Sequence, residues 1–170
     1  MTQLKFIFTA SLSFFIVMNC CSQQNSPGTS SVLGIFVAST PCSTVSRPLP
    51  GISVSTDCEF IKWKLTLYQD ESTKTPTTYK LHSLYGLPKQ GTTGFIGGGE
   101  KVDMEGKWTI IKGMASARNA IVYQLKDSKT GKTISFLKLN DNILHLLDSD
   151  QRLMIGNAAW SYTLNRIGNQ

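Results

Sequence analysis

From residue 33 onward the apolar residues recur at every second position. That period of two is what most limits the folds open to the chain, because side chains alternating in this way share a face only on a β-strand. In Ile61-Lys62-Trp63-Lys64-Leu65-Thr66-Leu67-Tyr68, the residues Ile61, Trp63, Leu65 and Leu67 point one way and Lys62, Lys64 and Thr66 the other. Residues 77–85 set Tyr79, Leu81 and Tyr85 against Thr78, Lys80 and His82, and Met104, Trp108 and Ile110 alternate with Glu105, Lys107 and Thr109. Ile121, Tyr123 and Leu125 alternate with Val122, Gln124 and Lys126, giving a strand apolar on parts of both faces. Ile134 and Phe136 open another strand, and Leu137 and Leu139 then change phase, which predicts a bulge. Leu144 with Leu146, Leu153 with Ile155, and Trp160, Tyr162 and Leu164 continue the series, and a first strand lies near Leu33 to Ala38.

The connections agree with this reading. Asp127-Ser-Lys-Thr-Gly131, Asn140-Asp-Asn142 and Asp148-Ser-Asp150 have the residues of tight turns. No amphipathic helix of ten residues interrupts them. The expected fold is all-β: a small antiparallel meander closed into a barrel of about eight or nine strands, since closure removes exposed edges. Two stretches stand apart as long loops, residues 40–58, rich in Pro and Ser, and 86–103, rich in Gly. With 170 residues, 41% of them hydrophobic and 16% charged, there is material for one cored domain.

The N-terminus reads as an address. Lys5 precedes Phe6–Met18, where ten of 13 residues are apolar, which suits a signal peptide and is too short for a transmembrane helix. The stretch ends in Val17-Met18-Asn19-Cys20-Cys21-Ser22, an aliphatic residue three positions before a cysteine. This resembles the lipobox of bacterial lipoproteins, in which the cysteine is acylated and the leader removed just before it. Cys20 fits the spacing from Val17, and Cys21 is the alternative; an ordinary secretory signal with an incidental cysteine pair is the competing reading. SQQNSPGTSS, residues 22–31, has nothing to bury and reads as a tether. The expected organisation is a leader over residues 1–19, a lipid-anchored tether over 20–32 and a barrel over 33–167. Lys5 would leave with the leader, taking the net charge from +6 to +5.

Cys42 and Cys58 are the cysteines left for the folded domain. In an exported protein such a pair is most simply a disulfide, closing a loop of about 17 residues for on the order of 3 kcal/mol. The alternative is a thiolate metal site, since soft sulfur suits Cu(I) or zinc. Further ligands would have to come from His82, His145, Met104, Met114 or Met154, which no paired spacing links. His82 and His145 read as surface histidines, and Asp103 and Glu105 as solvated neighbours in a turn. Gly94-Phe-Ile-Gly-Gly-Gly99 lacks the spacing of a phosphate loop. No nucleophile, metal-hydrolase or triad pattern appears, so no enzyme is expected. The lysines are scattered singly, which argues against nucleic acid as a partner.

Several of these segments together resemble the N-terminal domain of NlpE-like copper-resistance lipoproteins. They are Phe36 followed by Thr40-Pro41-Cys42, Asp57-Cys58 leading into Ile61–Leu67, Thr78-Tyr-Lys-Leu81, Glu105-Gly-Lys-Trp-Thr-Ile110, Ile143-Leu-His-Leu-Leu-Asp148 and Trp160-Ser-Tyr-Thr-Leu164. The resemblance spans residues 34 to 166 and implies a lipocalin-like barrel tethered to the outer membrane, facing the periplasm, with a role in envelope stress sensing or copper tolerance. It also implies an envelope protein partner. The family's Cys-x-x-Cys motif is replaced here by two cysteines with 15 residues between them, which suits a structural clamp better than a metal grip.

Two kinds of function follow: a non-enzymatic, monomeric envelope lipoprotein, or a lipocalin-like binder of a small apolar ligand in the barrel. The interior separates them. Trp63, Trp108, Tyr123, Phe136 and Trp160 would fill a narrow barrel and favour the first.

Overall fold

The computed structural model describes residues 29–42, 49–53, 55–114 and 117–168. Eight strands follow one another along the chain: β1 (Ser30–Pro41), β2 (Phe60–Asp70), β3 (Pro76–Gly86), β4 (Glu100–Met114), β5 (Ala117–Asp127), β6 (Thr133–Asn140), β7 (Ile143–Leu146) and β8 (Thr163–Ile167). Each pairs antiparallel with the next, and β8 returns to β1 to close the barrel. The closing seam sets Ile35 opposite Ile167, Phe36 opposite Arg166 and Val37 opposite Asn165. The leader, most of the tether and both lipidation candidates, Cys20 and Cys21, lie outside the described residues. β1 begins at Ser30, three residues before the expected start of the barrel.

The period-two residues of β2 do what their spacing requires: Ile61, Trp63, Leu65 and Leu67 are all buried. They form one continuous cluster with Phe36 and Leu81 on the neighbouring strands and with Leu125, Phe136, Leu144, Leu146 and Leu164. The Trp63 ring meets Phe136 edge-on, with centroids 6.3 Å apart. Its indole N–H donates to Thr40 Oγ1 at 2.8 Å, so burial leaves no orphan donor. Trp108 packs on Tyr123 at 4.9 Å and donates to the Tyr68 carbonyl at 2.7 Å. Truncating a buried aromatic of this kind to Ala costs about 3–5 kcal/mol.

Four expectations need correction. The stretch Leu153–Ile155 is no strand: Leu153 makes one isolated bridge to Leu147, and Ile155 is 82% exposed. The reason is that β7 already has β6 and β8 on its two edges, so no edge remains for a ninth strand. Trp160 sits on the rim, 40% exposed, with its ring 4.5 Å from that of Phe60. Asp103 and Glu105 stand on β4 rather than in a turn, because β4 starts at Glu100 and pairs with β3 through Leu81–Met104. Ile110 keeps the inward phase but is 45% exposed, since the β3–β4 pairing stops at Lys107. The bulge appears where the phase changes, with a register shift between Lys138 and Asn140 that leaves Leu139 in solvent.

Two local devices set the β4–β5–β6 region. Gly106 lies so close to the next strand that a Cβ there would stand 2.1 Å from the Lys126 carbonyl oxygen. Only glycine fits. At the β5–β6 turn the buried Asp127 carboxylate accepts from Thr130 Oγ1 at 2.6 Å and from the Thr130 N–H at 2.8 Å. Those bonds, the hydroxyl's first, hold its pKa below the ordinary value. Nearby, the Tyr79 hydroxyl is buried with no partner among the described residues; burial, then the Asp127 charge, push its pKa up to about 12.

Gly106→Ala should therefore cost at least the upper end of the roughly 1–3 kcal/mol typical of overpacking. Gly94→Ala, whose added Cβ meets only Thr92 Oγ1 at 3.6 Å, should change the denaturation midpoint little. Asp127 contributes stability that is present above its unfolded pKa of about 4 and lost as the pH falls below it. Thr130→Ala should shrink the difference in stability between about pH 7 and pH 3, as read from denaturant midpoints.

Candidate functional site

The antiparallel alternation gives the barrel two unlike ends. The N-terminus of β1 and the β2–β3, β4–β5 and β6–β7 turns share one end, and the long connections 42–59, 87–99 and 147–162 gather at the other. The sequence-predicted cysteines lie at this second, open end. Cys42 follows β1 directly and Cys58 precedes β2, and the Cys42 N–H donates to the Glu59 carbonyl at 2.8 Å. The register between β1 and β2, with Pro41 opposite Phe60, thus brings the two cysteines together. Their sulfurs are at bonding distance, 2.14 Å, with the Cα atoms 5.5 Å apart.

The segment between them is not an idle loop. Leu49 is 1% exposed and Ile52 7% exposed, and both belong to the barrel's core cluster. The clamp therefore holds a stopper in the mouth. Sequence reasoning placed no core residue here. The signal was present in Pro48-Leu49-Pro50-Gly51-Ile52, two large apolar residues in a loop otherwise built of turn formers, but they have no period to reveal a face.

Beside the stopper, an open hollow of about 500 Å³ is lined by Pro41, Cys42, Cys58, Glu59, Phe60, Leu87, Asn157 and Trp160. Leu87 separates it from a second hollow of about 300 Å³ formed with Tyr85, Ile96 and Glu100. The Tyr85 hydroxyl donates to Glu100 Oε2 at 2.6 Å. The glycine-rich loop is ordered by its own contacts: Phe95 is buried, Pro88 bridges to it, and the Lys62 ammonium lies 5.5 Å from its ring centroid while bonding the Thr93 carbonyl. Gly99, with φ of 78°, lets the chain turn into β4 without striking Tyr85.

The other candidates disperse. His82 is exposed on the outer face, where Nδ1 lies 2.9 Å from Asp103 Oδ1. His145, expected at the surface, is half-buried under the 147–162 connection, with Nε2 2.9 Å from the Met154 carbonyl oxygen. Met104 is in the core, Met154 packs against it, and Met114 lies at the far end of β4. None of these joins Cys42 and Cys58. Among the described residues no group of three or more His, Cys, Asp or Glu could hold a metal ion. With its sulfurs bonded to each other, the cysteine pair has no thiolate to offer and does not fit Cu(I).

No family model, curated protein or solved structure matches the chain.

The clamp and the stopper act on one segment, which fixes how their loss combines. Replacing both cysteines with Ser should cost about 2–4 kcal/mol and Leu49→Ala about 2–5 kcal/mol. Combined, they should cost clearly less than the sum, because the first loss already frees the segment that seats Leu49. Full additivity in denaturant titrations would mean that the disulfide does not hold the stopper.

Proposed function

We propose that this protein is a bacterial envelope lipoprotein, anchored by an acyl group on Cys20 or Cys21, whose barrel is a non-enzymatic binding and sensing module. The observation that carries the reading is the disulfide-held stopper. A disulfide that seats core residues is durable chemistry only in an exported, oxidising compartment, and the leader supplies the route to one. The resemblance to NlpE-like lipoproteins supports a location at the outer membrane, facing the periplasm, and a role in envelope stress sensing or copper tolerance. The bonded cysteines favour stress sensing. The sensing surface is the open end, where the two hollows flank Leu87 and where Ile96, Ile155 and Trp160 offer exposed apolar contacts to an envelope protein partner. The protein works as a monomer on the membrane, without nucleic acid.

A second reading, carriage of a small apolar ligand, is favoured by the hollow against Phe60 and Trp160. One experiment separates the two. The protein is expressed with its leader, extracted from bacterial membranes, and weighed intact under native and then denaturing conditions. A lipoprotein partitions into detergent and keeps its acyl mass after denaturation. A carrier releases a non-covalent apolar molecule on denaturation. Recovery as a soluble chain with an unmodified N-terminus downstream of Ser22 would end the lipoprotein reading.

A further inference from the structure

The β4–β5 hairpin outruns the barrel it belongs to. β4 pairs with β3 only as far as Lys107, and β5 pairs with β6 only from Val122 onward. Beyond both points the rungs Lys112–Ile121 and Met114–Ala117 join the two strands to each other alone, and along Ile110 and Ile111 the β3 side of β4 is already an open edge. A free two-stranded ribbon gains little from its own hydrogen bonds in water. Yet this tip and the open edge of β4 that leads into it carry Ile110, Ile111 and Ile121 at 45%, 38% and 38% exposure. Its charge is one-sided as well: from Trp108 to Leu125 the charged residues are Lys112 and Arg118, with no acid.

The ribbon points from the end at which the chain enters. β1 starts there, and the Glu71 N–H at the β2–β3 turn donates to the Thr29 carbonyl at 2.9 Å. Val32, Leu139 and Ile167, also exposed, lie at this same end of their strands. Eight residues, 22–29, separate Cys21 from the barrel, and fully extended they reach at most about 28 Å. We propose that this end of the barrel, led by the ribbon, docks on the anionic surface of the bilayer that holds the acyl anchor. The isoleucines enter the headgroup boundary and Lys112 and Arg118 meet lipid phosphates.

This rests on the lipoprotein reading for the anchor. A tether this short presents the ribbon to the surface at an effective concentration on the order of millimolar, so weak contacts suffice. Each cation near such a surface is worth about fivefold in binding. A second copy of the chain, adding a strand to the free edge of β4, is the competing occupant. The edge is poorly made for it: Lys112 sits on it, and the register shift between Lys112 and Met114 at Gly113 breaks the ladder. Docking also leaves the stoppered mouth facing away from the membrane.

The test is hydrogen exchange on the full chain purified from membranes, its N-terminal mass read first. The chain is placed in phosphatidylcholine vesicles, or in vesicles that also contain phosphatidylglycerol. Amides of 108–114 and 117–121 should exchange severalfold more slowly in the anionic vesicles alone. Raised salt should remove the difference. Lys112→Glu with Arg118→Glu should cut the docked population by about tenfold or more while leaving the thermal midpoint of the barrel unchanged. Equal exchange in both vesicles by an acylated chain overturns the docking. So does protection that grows with protein concentration without regard to lipid, which is the signature of a second copy. If the N-terminus carries no acyl group, the lipoprotein reading falls by itself. Vesicles are then added to the free chain and the same amides decide the docking: slower exchange with anionic vesicles supports it and no change overturns it.

Discussion

The three rungs that join β8 to β1 are the constraint on which the rest depends. An eight-stranded sheet left open would expose two rows of unpaired N–H and C=O groups and split the cluster around Trp63. The seam is reinforced from both sides: the Arg166 guanidinium donates to the Leu33 carbonyl at 2.5 Å, and the Arg166 N–H donates to the Asn142 carbonyl at 2.8 Å. Closure also sets the polarity of the molecule. With strands alternating in direction, every long connection falls at the end away from the start of β1, where the β5–β6 turn is the one short connection.

That polarity divides the labour. At the open end the chain spends residues on irregular connections, one of which is fastened by Cys42–Cys58 and presses Leu49 and Ile52 into the core. At the entry end the connections are brief, apart from the overlong β4–β5 ribbon. The exposed large apolar residues follow the same division. Val32, Ile110, Ile111, Ile121, Leu139 and Ile167 lie toward the entry end, and Leu87, Ile96, Leu153, Ile155 and Trp160 toward the open end. The lysines at the middle of the barrel wall, such as Lys64 and Lys80, are exposed on its outer face.

Much of the fold was legible because period two is a property of single strands. Ile61 through Leu67 could be assigned to the interior without knowledge of their neighbours, and the phase change after Phe136 announced the bulge at Leu139. What misled was alternation without a partner. Leu153 and Ile155 have the spacing of a strand, but β7 has both edges occupied. Ile110 has the phase of a core residue, but β3 does not extend beside it. Trp160 is large and apolar, yet it precedes β8 and covers the rim rather than the centre. The candidate site was half legible: the cysteines were visible, while the stopper they hold was hidden in a segment without periodicity.

The sequence by itself determined the all-β class and most of the strands, the inward residues of β2, β3 and β6, and the turn chemistry at Asp127 and Asn140. These follow from local rules, in which a residue's spacing or conformational preference settles its role. Only the tertiary structure decided which strand closes the barrel, that Leu49 and Ile52 plug its mouth, and that the β4–β5 ribbon stands free. Each of those depends on where two distant segments run out of partners. Backbone edges and apolar surface are satisfied by the whole sheet at once, so no stretch of sequence read alone contains the answer.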